Sequence, residues 1–166
     1  MMSRCAAILI SLMFIGCGYK PVKNYAKENL GGKIYYELDV NKDDITKSVL
    51  LRNQIISLIL NDLDGTIVHQ KDNADVKLYV SLDSISHQAL STDNQGYAKM
   101  YRTTVALKFK YSTNDSTIKT IQTTGYYDYE VEPNSTLTKE NKLNAIKLAM
   151  QDGIADLLSK IATSKK

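Results

Sequence analysis

The apolar positions of this chain follow two periods, and the switches between them divide it into elements. Over residues 33–40, Ile34, Tyr36, Leu38 and Val40 alternate with Tyr35, Glu37 and Asp39, the period-two signature of a half-buried strand. From Ile45 the spacing turns helical. Ile45, Val49, Ile56, Ile59 and Leu63 recur, and Leu51, Ile55 and Leu58 widen the stripe, as on an amphipathic helix. Asn41, Lys42, Asp43 and Asp44 precede it with oxygens able to cap free N–H groups, and Asp64-Gly65 ends it. Thr66–His69 reads as a short strand, and Val76, Leu78, Val80 and Leu82 alternate on the next. Asp93, Asn94, Gln95 and Gly96 supply turn chemistry before a long strand, Tyr97–Tyr111. Asn114, Asp115 and Ser116 turn the chain again, and Thr117–Val131 returns as a strand stopped at Pro133. A second helix, Thr138–Ile161, carries Leu143, Ile146, Met150, Ile154, Leu157 and Ile161 as one stripe.

Each helix has a single apolar stripe, and both stripes are satisfied by covering one face of a sheet. The expected fold is therefore α+β: two helices packed on one face of a mostly antiparallel four-stranded sheet, in the order β-α-β-β-β-α. It occupies residues 33–162 as a single domain, with 163–166 as a tail. The other sheet face is left uncovered. Tyrosine and threonine crowd the strands that build it, and both suit a surface that meets water in one state and a partner in another. The same residues also have high β-propensity, so a plain solvated face fits them too.

Ahead of this domain the pattern changes. Arg4 is followed by an apolar run from Cys5 to Ile15. Eleven helical residues reach about 17 Å, too short for a hydrocarbon core of about 30 Å, and a basic start with an apolar centre has the shape of a secretory signal. Phe14-Ile15-Gly16-Cys17 resembles the bacterial lipobox, in which cleavage precedes a cysteine that carries diacylglycerol. Residues 1–16 then form the signal peptide, Cys17 becomes the lipid attachment site, and 17–32 form a tether. Its fifteen residues from Gly18 to Gly32 would reach about 50 Å when extended. Gly18 after the cysteine leans toward outer-membrane sorting.

Composition narrows the chemistry. The 166 residues carry 21 lysines and arginines against 18 acids, a net charge of +3, too small a balance to indicate nucleic acid. Loss of 1–16 removes Arg4 alone among the charges, leaving about +2. Cys5 leaves with the signal, so no thiol chemistry remains. His69 and His87 have no further ligand type at metal-binding spacing, and no cofactor motif occurs. Asp43 and Asp44 are better read as a helix start than as paired acids. Lys108 and Lys110 share a strand face, where they are read as edge lysines opposing aggregation ahead of a phosphate grip. Nothing assembles a nucleophile, a base and an orienting group, which argues against an enzyme.

Cys17-Gly18-Tyr19-Lys20-Pro21, the strand–helix start, the strand opening Gly96-Tyr97-Ala98-Lys99-Met100-Tyr101-Arg102, the tyrosine-rich return strand and the terminal helix resemble the LptE family of lipopolysaccharide-assembly outer-membrane lipoproteins. The resemblance covers essentially the whole chain. It implies a plug that sits inside an LptD-type β-barrel and assists insertion of lipopolysaccharide into the outer leaflet. It implies a barrel interface, here assigned to Tyr101, Tyr126, Tyr127 and Tyr129, and basic residues for lipopolysaccharide phosphates. Lys139 stands at the family's basic position at the start of the terminal helix. The family's basic residue before the hairpin turn is replaced by the acidic Thr92-Asp93-Asn94 stretch, so Lys99 and Arg102 are the substitutes. The alternative reading is a periplasmic lipoprotein adaptor that activates a peptidoglycan or secretion machine. Both readings need the anchor: Cys17→Ala is expected to abolish palmitate labelling and release the chain from membranes. Undiminished labelling in that variant would remove Cys17 as the attachment site.

Overall fold

The computed structural model describes residues 22–40, 45–113, 117–131 and 138–163. The signal-peptide stretch, Cys17, the helix start at Asn41–Asp44, the Asn114–Ser116 turn, Pro133 and residues 164–166 lie outside these. In chain order the elements are α1 (Val22–Leu30), β1 (Lys33–Asp39), α2 (Ile45–Ser57) with a π-helical turn Leu58–Asp62, β2 (Thr66–Ile67), a 3-10 turn Lys71–Asn73, β3 (Val76–Thr92), β4 (Ala98–Thr113), β5 (Lys119–Glu130) and α3 (Lys139–Thr163).

The strands form one sheet in the order β2-β1-β3-β4-β5. β1 runs parallel to both β2 and β3, while β3–β4 and β4–β5 are antiparallel. The α+β class is as expected, but the sheet has five strands and is mixed, and there are three helices. The strand that the four-strand expectation left out of the sheet is β2, read from sequence as a short strand. Thr66 N–H donates to the Gly32 carbonyl at 2.8 Å and Val68 N–H to the Ile34 carbonyl at 3.0 Å. These bonds join the short strand read at residues 66–69 to β1, and the strand itself is two residues long.

The extra helix is α1, which lies in the stretch assigned to a tether. Ala26 and Leu30, one turn apart, are buried in the core, and α1 packs on α3. Nine residues do not hold a helix in water by themselves, so α1 depends on that packing. α2 also differs in detail. Leu51, Ile55, Leu58, Ile59 and Leu63 are buried, but Ile45 and Val49 point outward, 75% and 46% exposed.

The core lies between the helices and one sheet face. Val76, Leu78 and Val80 of β3 and Val105, Leu107, Phe109 and Tyr111 of β4 are all buried there, on the alternate positions that the sequence pattern marked. Beyond Leu82 it is β3 that leaves the core: from Asp83 to Thr92 it is exposed except for half-buried Ile85, while Val105 and Thr103 opposite it on β4 stay buried. Asp93 closes the hairpin: its Oδ1 accepts the N–H groups of Gln95 and Tyr97, each at 2.9 Å, and Gly96 takes φ +88°.

α3 begins at Thr138, whose hydroxyl accepts the Asn141 N–H at 3.1 Å, a cap for a free helix donor. It then crosses β5 at Gly125. A Cβ on Gly125 would lie 1.9 Å from the Ala149 carbonyl oxygen and 2.3 Å from the Gly153 nitrogen, so helix backbone rests directly on strand backbone. Flanking side chains complete the join at the strand's outer edge. Asp152 Oδ2 accepts the Tyr126 N–H at 2.9 Å, and Lys160 Nζ donates to the Gln122 carbonyl at 2.8 Å. These bonds occupy backbone groups that an edge strand otherwise offers to other chains. Gly125→Ala is expected to destabilise the fold by about 3 kcal/mol or more. Gly153→Ala, whose added carbon comes no nearer than 3.3 Å to the Gly125 nitrogen, should lose less; urea denaturation midpoints of the two variants check the order.

Candidate functional site

Strand register divides the side chains between two faces. Val105 lies opposite Gly125, Thr103 opposite Tyr127 and Tyr101 opposite Tyr129, so all six share the face that carries the helices. The intervening residues, among them Arg102, Thr104, Lys108, Lys110, Tyr126 and Asp128, form the helix-free face.

That free face is a polar surface organised into three groups. Lys71, delivered by the 3-10 turn, lies 3.3 Å from Glu37 Oε2 and 5.3 and 5.4 Å from the ring centres of Tyr35 and Tyr79. The Glu37 carboxylate, helped by the two tyrosines, holds the Lys71 pKa above its ordinary value. In the middle, Lys108 Nζ meets Asp83 Oδ2 at 2.9 Å, and Ser81 Oγ donates to Asp83 Oδ1 at 2.9 Å. The Lys108 hydrogen bond keeps the Asp83 carboxyl below the usual range. A shallow hollow of about 340 Å³ lies between these two groups, lined by Glu37, Asp39, Tyr79, Ser81, Lys108 and Lys110. Towards the hairpin, Arg102 Nε and Nη2 donate to the two oxygens of Asp128, both at 2.7 Å, and the guanidinium covers the Tyr126 ring at 5.5 Å. Exposed pairs of this kind add little stability, but the planar fork fixes the direction of each partner.

On the helix-bearing face, Tyr101, Tyr129 and Tyr127 stack in a row, with ring centres 6.0 and 6.2 Å apart. Burial raises the Tyr129 pKa, and the Tyr101 hydroxyl adds to the shift. Next to this row His87 Nδ1 shares a hydrogen bond of 2.8 Å with the buried Thr103 hydroxyl.

The residues marked from sequence are thus spread over the molecule. Of the four tyrosines, Tyr126 alone stands on the free face. Arg102 is on that face as well, bound to Asp128. Lys99 is exposed at an irregularity near the hairpin end, where its carbonyl accepts the Val131 N–H at 2.8 Å. Lys139 is exposed at the first residue of α3. Lys108 and Lys110 belong to β4, an interior strand, so edge protection is not their role; Lys108 is an ion-pair partner. Among the described residues no three of His, Cys, Asp and Glu gather as metal ligands. Lys71 was invisible to sequence reasoning, because a loop lysine meets Glu37 and two tyrosines only through the fold.

This architecture can be set beside known proteins. A family model for LptE, lipopolysaccharide-assembly, matches residues 37–161. The chain belongs to the LptE family. The match takes in the whole sheet beyond the start of β1 and nearly all of α3. Among solved structures, the chain is similar to a candidate lipoprotein from Caulobacter crescentus, with a TM-score of 0.54 and 15% identity over 86% of this chain and 93% of that one. It is also similar to rare lipoprotein B from Shewanella oneidensis, with a TM-score of 0.50 and 17% identity over 78% of this chain and 92% of that one. At such identities the likeness is one of fold. A comparison with curated protein sequences gives no match. No helix among the described residues of this LptE-family chain is long and apolar enough to cross a membrane.

His87 yields a test of the packing beside the tyrosine row. Partial burial, then the ammonium groups of Lys142 and Lys47, lower its pKa. The unfolded chain therefore takes up the proton first, near its ordinary pKa of about 6.5. Stability is full above that pH and declines as pH falls towards the lower folded value. Between about pH 7 and about pH 5, His87→Gln should show a smaller fall in melting temperature than the parent; parallel curves would remove His87 as a contributor.

Proposed function

We propose that this chain is an outer-membrane lipoprotein, anchored through Cys17, that plugs an LptD-type β-barrel and assists its assembly and its insertion of lipopolysaccharide into the outer leaflet. The observation that carries this reading is the family match over residues 37–161, which includes the long hairpin, the free face and α3. The free face suits such a partner. It is wide, polar and closely organised, with tyrosines and charged forks that can exchange one another for groups on a barrel wall.

Tyr126 is the interface tyrosine that this arrangement favours, because it is 49% exposed on the free face. Tyr101, Tyr127 and Tyr129 would meet a partner only along the rim of their stacked row. For lipopolysaccharide phosphates, Lys99 and Lys139 are the accessible cations. Arg102 would have to exchange Asp128 for a phosphate, an exchange its bidentate geometry permits. The chain itself acts by binding, with no catalytic step assigned to it.

A photo-crosslinking residue in place of Tyr126, in intact cells, tests the reading. Adducts with an outer-membrane β-barrel are expected. Adducts confined to an inner-membrane or cell-wall enzyme would favour the adaptor reading and sink this one.

A further inference from the structure

The sheet has two edges, and they are treated differently. The β5 edge is closed by Asp152 and Lys160. The other edge belongs to β2, which is only two residues long and pairs with β1 at Lys33 and Ile34 alone. After the Val68–Ile34 hydrogen bond, β1 continues to Asp39 with no strand on that side among the described residues. Its alternate residues Lys33 to Asp39 turn their backbone groups towards β3, as the Asp75 N–H to Lys33 carbonyl bond of 2.8 Å shows. Tyr36 and Leu38 therefore turn theirs outward. The bare stretch from Tyr36 to Asp39 is about 13 Å long.

A groove of about 380 Å³ runs along this stretch, with Tyr36, Leu38, Val40, Val68, His69 and Arg52 in its lining. One wall is the flank of α2. Ser48 and Arg52 come from this helix, and Tyr36, Leu38, Val40 and Val68 supply the apolar lining. Arg52 is exposed and has no acidic partner among the described residues, and neither has His69. Glu37, which also lines the groove, is held by Lys71. Among the described residues the groove thus offers outward backbone donors and acceptors, an apolar lining and the Arg52 and His69 side chains without an acidic partner.

We propose that the outward edge of β1 accepts an extended segment of a partner protein as an added strand. The segment carries a carboxylate side chain opposite Arg52 and an apolar side chain two residues away, against Leu38 and Val40. Backbone pairing with Tyr36 and Leu38 supplies the docking, and side chains on one face of the added strand supply the selectivity. The guanidinium is the residue type suited to gripping a carboxylate through two parallel hydrogen bonds. This site uses the sheet edge and not the free face, so it stands or falls apart from the barrel reading.

The test uses the full-length, isotope-labelled chain in detergent and two blocked nonapeptides. In the first, threonine alternates with valine and glutamate; in the second, lysine replaces glutamate. On adding the first, the amides of Tyr36 and Leu38 should become protected from hydrogen exchange in NMR spectra. The lysine peptide should bind about tenfold more weakly, and Arg52→Glu, a surface change, should reverse the preference. Equal binding of the two peptides, protection located elsewhere, or absence of binding would overturn the proposal. So would a concentration-dependent dimer that already protects these amides without peptide, since the occupant would then be a second copy of the chain.

Discussion

The placement of α3 against β5 depends on one close approach. At Gly125 a strand residue without a side chain meets the helix backbone at Ala149 and Gly153. Two backbones can come this near only where both Cβ atoms are missing or turned aside. The approach brings Asp152 and Lys160 within reach of β5's outer backbone groups. It also sets the height of the helix above Leu107 and Thr123, and so the depth of the core. α1 and α2 then pack on α3. The position of this one helix thereby decides which sheet face is covered and which remains free.

The two faces consequently divide the chemistry. Beneath the helices the sheet is apolar at its base and becomes a stacked tyrosine row with buried Thr103 and neighbouring His87 towards the hairpin. The opposite face is polar among the described residues, and three of its acids are paired with cations: Glu37 with Lys71, Asp83 with Lys108, Asp128 with Arg102. Such a surface is at ease in water, and its pairs are exposed enough to be exchanged for a partner's groups. A surface with that property suits the association proposed for this LptE-family chain.

Much of the fold was legible in the sequence where a period had room to repeat. Leu78, Val80, Val105, Leu107 and Phe109 declared their strands and their buried side, and the stripe from Leu143 to Ile161 declared α3. Where an element was short, no period could show. α1 has only Ala26 and Leu30 to bury. The outward turn of Ile45 and Val49 was hidden for a different reason: apolar spacing gives a helix its stripe but not the extent to which neighbours reach it. The candidate site was the less legible part. Arg102 and Asp128 are 26 residues apart and Lys71 and Glu37 are 34 apart, and nothing local joins them.

The sequence by itself determined the α+β class, the long strands with their inward side, the terminal helix and the family of the chain. These rest on local periodicity and on residues whose order along the chain is itself the signal. The tertiary structure decided the mixed strand order, the packing of α1, the division of the tyrosines between two faces and the unequal closing of the two sheet edges. Each of these arises from contacts between segments far apart in the chain, which no local period can encode.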